Sequence, residues 1–336
     1  MACPVVSCYR LRIGLLLVLS LGCAGESDSG RANPCLDLAL EERAKLPAIT
    51  QVETWRQNRV VGPEDAGAPS VVRLLSGDVR IFWNAPAAGG IASATSSDGW
   101  SFTDDPGLRV ANGASDSLDA LASHPWVVAA ASGQTQGYRL YYQAKPAAQD
   151  SSFRIMSAWS ANGLDFAKEG IRIDVGAETG LLHAAHGRAI QLDDGRFRMW
   201  FSASLITDGG PADILGALST DGGLSWALDQ QPLLPDGHDP AIARIGAQYH
   251  MYTSYLARNL IHLVSDDGFS FRSVAWVELY DAAGTYYEEF GDVDVMSFGG
   301  SDFATADLRL FGSGKLCGST TGLRGQAIMV RAQAAS

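Results

Sequence analysis

Five times along the chain, an apolar, aromatic-rich stretch carries one polar residue at the same place. The copies are Val79-Arg-Ile-Phe-Trp83, Tyr138-Arg-Leu-Tyr-Tyr142, Phe197-Arg-Met-Trp-Phe201, Tyr249-His-Met-Tyr-Thr253 and Leu308-Arg-Leu-Phe-Gly312. The polar position (Arg80, Arg139, Arg198, His250, Arg309) recurs after 59, 59, 52 and 59 residues. A fixed period of this length is the mark of a repeat architecture. A second apolar strand precedes each copy: Val71–Leu75, Trp126–Ala130, Arg188–Leu192, Ala241–Ile245 and Val293–Ser297. A third strand follows each, and in four units a turn and a fourth strand come after it. Strands with a turn every ten or so residues form four-stranded antiparallel blades.

The turns repeat as well. Ser219-Thr-Asp-Gly-Gly-Leu-Ser-Trp226 returns in shortened form at Ser96–Phe102, Ser160–Phe166 and Ser265–Phe271. Ser and Asp or Asn side chains bond backbone N–H groups in such a turn, glycine supplies a positive φ, and the aromatic opens the next strand. The fifth unit has neither this turn nor a fourth strand, and its third strand is Ala327-Ile-Met-Val-Arg331. An open edge is a liability that ring closure removes. Trp55-Arg-Gln-Asn-Arg-Val-Val61 carries an aromatic where the other fourth strands have Phe102, Phe166, Trp226 and Phe271. The pattern therefore predicts an all-β, five-bladed β-propeller over residues 52–333, with residues 52–62 closing blade five.

The N-terminus follows another logic. Arg10 and Arg12 precede a nine-residue apolar run, Ile13–Leu21, too short to span a bilayer. Ser20-Leu-Gly-Cys23 follows, which resembles a bacterial lipoprotein signal with lipid on Cys23; an ordinary signal peptide is the other reading. Residues 1–22 are thus the expected signal peptide and 23–34 a small, polar tether. Residues 35–51 form an N-terminal extension with one short helix that ends at Pro47. Export to the cell envelope is expected, with the outer membrane favoured because Ala24 follows the cysteine. Cys35 and Cys317 are the two cysteines left, and in an oxidising compartment they pair most simply as a disulfide.

Composition adds exclusions. The 336 residues carry a formal charge of −12, against the cationic surface that nucleic acid requires. Apolar residues make up 46% and charged ones only 18%, enough for a large core of short strands. A monomer is expected, reaching a membrane only through its lipid.

Five blades with S-x-D-G-x-x-F turns resemble the superfamily of glycoside hydrolase families 43, 32, 68 and 130, and the turns resemble the Asp boxes of sialidase-like propellers. The resemblance implies a ligand face where each innermost strand begins, and a structural role for Asp98, Asp221 and Asp267 on the opposite face. Hydrolysis there uses two carboxylates across the scissile bond. Family 43 draws its carboxylates from early blades. Here blade one offers Gly67-Ala-Pro-Ser70 and blade two Ser123-His-Pro-Trp126, neither with an acid, and blade three has His186-Gly-Arg188 where the family has Glu. Blade four matches, with His238-Asp-Pro240, and blade five adds Glu288, Glu289, Asp292 and Asp294 after Tyr286 and Tyr287. The expected acid–base set is Asp239 with Glu289 or Asp292. Expected substrate contacts are His124, Trp126, His186, Arg188, His238, Tyr286 and Tyr287, with Trp83 a further ring for sugar stacking. His183, His186 and His238 with Arg188 form a second constellation suited to an anion or, through the imidazoles, a divalent metal; no metal site is assigned and no cofactor is implied. Some relatives use phosphate as the attacking group, so phosphorolysis is included. A sialidase needs an arginine cluster, and only Arg188 is well placed. Three functions follow: an enzyme on an extracellular glycan, a non-catalytic surface protein binding a glycan or protein partner, or a structural protein with a plugged funnel.

Overall fold

A computed structural model describes residues 34–44, 49–63, 66–147, 152–206, 212–255, 259–322 and 326–331. The signal peptide, most of the tether and Cys23 lie outside these residues. The described chain is one helix, Pro34–Arg43, followed almost entirely by strands and turns. Among the described residues no helix is long and apolar enough to cross a membrane.

The strands sort into five units of four, with Val110–Ala111 pairing as an extra strand on Gly90–Ser96 of blade one. Blade one comprises Gly67–Arg73, Val79–Ala85, Gly90–Ser96 and Thr103–Asp104; blade two Leu121–Ser132, Thr135–Lys145, Arg154–Ser160 and Ala167–Ile173. Blade three comprises Leu181–Gln191, Phe197–Leu205, Asp213–Ser219 and Ala227–Leu228; blade four Gly237–Ile245, Gln248–Tyr255, Asn259–Ser265 and Arg272–Tyr280. Blade five comprises Tyr287–Ser297, Leu308–Leu316, Gln326–Arg331 and, from the other end of the chain, Val52–Val61. The first strand of each blade touches that of the next, and blade five touches blade one. This cyclic order makes the molecule a five-bladed β-propeller with those strands around its axis.

Closure takes the expected route, with one addition. Val52–Val61 pairs antiparallel with the last strand, Trp55 opposite Arg331 and Val61 opposite Gln326. It also pairs in parallel with the outer strand of blade four, Val52 opposite Trp276 and Arg56 opposite Tyr280. Blades four and five are therefore one eight-stranded sheet. Trp55 is fully buried and meets Tyr252 edge-on, ring centroids 5.6 Å apart. The Cys35–Cys317 disulfide ties the helix to blade five.

Large aromatic and aliphatic side chains fill the spaces between blades, among them Trp126, Tyr141, Trp200 and Phe201. The recurrent polar position of the second strand also works between blades. In the turns, Gly99 N donates to Ser96 Oγ and Ser101 N to Asp98 Oδ1, both at 2.8 Å, with the same bonds at Ser160/Asn162, Ser219/Asp221 and Ser265/Asp267. Each arginine reaches the turn of the following blade. Arg80 donates to Gly163 O at 2.9 Å, Arg139 to Gly222 O, and Arg198 lies 4.6 Å over the Phe269 ring. Arg309 completes the circle from blade five to the turn of blade one. Blade four faces a neighbour without such a turn, and there the position is His250.

Candidate functional site

Each innermost strand carries a bulge at which one residue takes a positive φ, and those of blades three and five carry a second register shift nearer their starts. The positive-φ bulge residues are Ala68 (49°), His124 (50°), His186 (52°), Asp239 (55°) and Asp292 (50°). The left-handed conformation is costly for a residue with a Cβ, less so for Asp and His. A bulge re-aims a side chain out of the pleat, and strain of this kind gathers at functional sites. The five bulges point one residue per blade at the axis.

Four of these side chains converge. His186 Nδ1 lies 2.6 Å from Asp239 Oδ1, while its Nε2 lies 3.7 Å from Asp292 Oδ1. His124 Nε2 is 3.3 Å from the same Asp292 oxygen, and its ring centroid is 4.6 Å from that of His186. His238 Nδ1 meets Asp239 Oδ2 at 3.0 Å. Blades two and five are not neighbours, so the His124–Asp292 contact passes in front of blade one, whose own bulge residue is the short Ala68. The backbone braces the group: Asp239 N donates to Ser202 Oγ at 2.9 Å, and Thr253 Oγ1 donates to His238 O at 2.6 Å.

Charge settles inside this cluster. Burial disfavours the Asp239 carboxylate, but the charge and contact of His186, with help from His238, hold its pKa well below the ordinary value. Burial likewise opposes ionisation of Asp292, and His124 and His186 more than offset it. Burial disfavours imidazolium at His186, yet Asp239 and Asp292 raise its pKa.

Two residues beyond the bulges of blades one, two and five, side chains bond to the neighbouring blade. Asp294 Oδ2 accepts Val71 N of blade one at 2.5 Å, Ser70 Oγ accepts Val127 N of blade two at 3.0 Å, and Trp126 Nε1 donates to Ala189 O of blade three at 2.7 Å. Arg188 is fully buried in this layer, its guanidinium 5.1 Å from the Trp126 ring. Burial pushes the pKa of Asp294 up to about 7, against the pull of Arg188 and two backbone N–H groups.

The residues expected from the sequence thus separate. His124, His186, His238, Asp239 and Asp292 meet at the axis. Trp126 and Arg188 are in the layer behind it. Tyr286 and Tyr287 are each only 3% exposed: Tyr286 packs edge-on against Tyr280, and Tyr287 against Phe290. Trp83 is buried between blades. None of these rings offers a face to a sugar. His183 leaves its constellation and stands edge-on to Phe153, 5.4 Å away.

Glu289 is exposed on the same strand as Asp292, and both line a cleft of about 360 Å³. Phe290, Ser313, Gly314 and Lys315 form other parts of its wall. Lys315 Nζ lies 2.5 Å from Glu288 Oε1, so Glu288 is turned to the lysine. The bracing roles of Ser202 and Thr253 were not anticipated: Ser202 follows directly on the third repeat copy and Thr253 closes the fourth, where the pattern marks only a strand position.

Comparison of the whole fold with solved structures finds glycoside hydrolases. A family 117 glycoside hydrolase, Zg3597 of the marine bacterium Zobellia galactanivorans, is 14% identical with a TM-score of 0.61, over 83% of this chain and 90% of that one. An α-L-arabinofuranosidase from Lactobacillus brevis is 10% identical with a TM-score of 0.61, over 79% and 90%. A family 43 β-1,3-galactosidase, BT3683, is 13% identical with a TM-score of 0.59, over 83% and 95%. The chain shares their propeller fold. No protein-family model and no curated protein sequence matches it.

Proposed function

We propose that this propeller is an exported, carbohydrate-active protein that acts on an extracellular glycan at a blade-five cleft that reaches the axial cluster through Asp292. The observation that carries the reading is the placement of Asp292 and Glu289 on one cleft of about 360 Å³, a size suited to a small ligand. Asp292, kept ionised by two imidazoles, is the base; Glu289, on the open wall, supplies the proton to the leaving oxygen. Asp239 has both oxygens engaged by histidines and acts as a positioning residue. The likeness to glycoside hydrolases agrees with this chemistry. The apolar leader with Cys23 supports an outer-membrane lipoprotein, and the disulfide supports an oxidising compartment.

Non-catalytic glycan binding is the second reading, favoured by the lack of any carboxylate among the axial residues of blades one to three. A glycosidase panel and a glycan array on the soluble domain separate the two. Turnover that disappears in Asp292→Asn and Glu289→Gln supports hydrolysis. Array binding without turnover supports the second reading, and neither activity overturns both.

A further inference from the structure

We infer that His124, His186 and Asp292 form a binding site for one divalent transition-metal ion, with Zn²⁺ the best match to the donors. One ligand atom from each residue lies within 4.8 Å of the other two. The edges from Asp292 Oδ1, 3.3 Å to His124 Nε2 and 3.7 Å to His186 Nε2, are close to the roughly 3.2–3.5 Å between donors at about 2.0–2.1 Å around a tetrahedral ion. Two imidazoles and one carboxylate suit a borderline metal better than Ca²⁺ or Mg²⁺, which take oxygen ligands.

The surroundings point the same way. A ligating histidine holds its second nitrogen against an acceptor, which fixes the tautomer. His186 Nδ1 has Asp239 Oδ1 at 2.6 Å and Ser202 Oγ at 3.3 Å, leaving the Nε2 lone pair toward Asp292. His124 Nδ1 has Ser123 Oγ at 3.1 Å as its acceptor. All three donors sit on bulges of packed strands. Ala68, the bulge residue of blade one, brings no donor, so three protein ligands leave a coordination position for water or a sugar hydroxyl. The other close set among the described residues, Cys35, Glu288 and Cys317, is closed to metal by its disulfide.

The site shares Asp292 with the glycan reading but does not depend on it. With an ion bound, Asp292 is a ligand, and activation of water passes to the metal. The test therefore uses metal without sugar. Calorimetric titration of the metal-stripped soluble domain with Zn²⁺ should show one ion per chain with micromolar or tighter affinity. His124→Asn, His186→Asn and Asp292→Asn retain a residue tolerant of positive φ, and each should weaken binding at least 100-fold. Asp239→Asn should weaken it about 10- to 100-fold through His186. Absence of binding to the wild-type protein, or binding unchanged in all three ligand variants, overturns the site. Should a variant fail to fold by circular dichroism, Co²⁺ titration of the wild-type protein decides. Visible bands of four- or five-coordinate Co²⁺ support the site, and their absence overturns it. Absence of glycan turnover in a wild-type protein that binds the metal would count only against the hydrolase reading.

Discussion

Arg309 Nη1 in blade five lies 2.9 Å from the carbonyl oxygen of Gly99 in blade one, so a guanidinium spans the junction between the last and first repeats. The cation is held between two rings, 3.7 Å from the centroid of Trp100 and 3.6 Å from that of Phe298. Arg309→Ala should cost roughly 2–4 kcal/mol, combining lost hydrogen bonds with lost cation–π contact. Arg309→Lys should recover little, since an ammonium cannot fill a planar slot. Urea unfolding midpoints check both. Gly99→Ala should be at least as damaging, because φ is +68° and its Cβ would lie 2.1 Å from the Phe298 ring.

Acid should weaken the ring where the N-terminal strand enters it. His250 Nδ1 and His262 Nε2 are 2.9 Å apart, and His262 Nδ1 is 2.5 Å from Glu53 Oε1 on that strand. Burial, then the neighbouring His262, lowers the pKa of His250 from 6.5 to about 4. The folded state thus refuses a proton that the unfolded chain accepts, so this contribution is complete above pH 6.5 and is lost as pH falls toward 4. Burial disfavours the Glu53 carboxylate, but its bond to His262 lowers its pKa overall, so that contribution is lost below the ordinary 4.5. Both losses run in the same direction. Asp294 runs the other way, because with a pKa of about 7 it takes up its proton in the fold first and adds stability as pH falls from 7. Against that background the His250 part, roughly 1–2 kcal/mol after solvent screening, should appear as a decline in stability between pH 6.5 and 4. In His250→Gln the upper part of that decline should flatten; an unchanged pH profile in this variant would contradict the assignment.

Reduction of Cys35–Cys317 should destabilise the protein by roughly 2–5 kcal/mol, because the bond joins residues 282 apart in sequence. The paired Cys35→Ser, Cys317→Ser variant should behave like the reduced protein. Guanidinium unfolding with and without reductant measures this, and coincident curves would show that strand pairing alone sets closure.

The buried tyrosines give a negative control for the cleft. Tyr287 OH donates to Gln57 Oε1, so Tyr287→Phe should lower stability by about 1 kcal/mol and leave glycan binding unaltered. Tyr286→Phe should likewise leave glycan binding intact. Lys315→Ala, on the cleft wall, should change affinity with little loss of stability. Array binding and thermal melts of the three variants provide the comparison; a Tyr287→Phe protein that folds but no longer binds would return that ring to the site.

The repeat was readable because its signal is a property of strands. Apolar alternation, turn chemistry and a 59-residue spacing survive whatever the loops do, and Trp55 showed its place by standing where Phe102 and Phe166 stand. The axial histidines and Asp239 were found at strand starts for the same reason. The sorting of aromatics failed because core packing and sugar stacking use the same side chains. A one-residue bulge reverses which side chains face inward, and nothing in the pleat announces it. The parallel pairing of Val52–Arg56 with blade four was also hidden, since it depends on how two outer strands meet in space. His250 stood out as the exception among four arginines, but its partner His262 is held in turn by Glu53, 209 positions from that histidine in sequence.

The five bulges share one backbone conformation, though their side chains are alanine, two histidines and two aspartates. The sheets do not depend on what occupies those seats, because inter-blade bonding is delegated to residues two positions later, such as Ser70, Trp126 and Asp294. A substitution at one seat can therefore spare the strands of its blade, although it is felt by the side chains it meets across the axis, as Asp239 is by His186. Frame and axial side chains are thus largely separate in this propeller, and the residues at the five seats can differ while the strands that carry them keep one conformation.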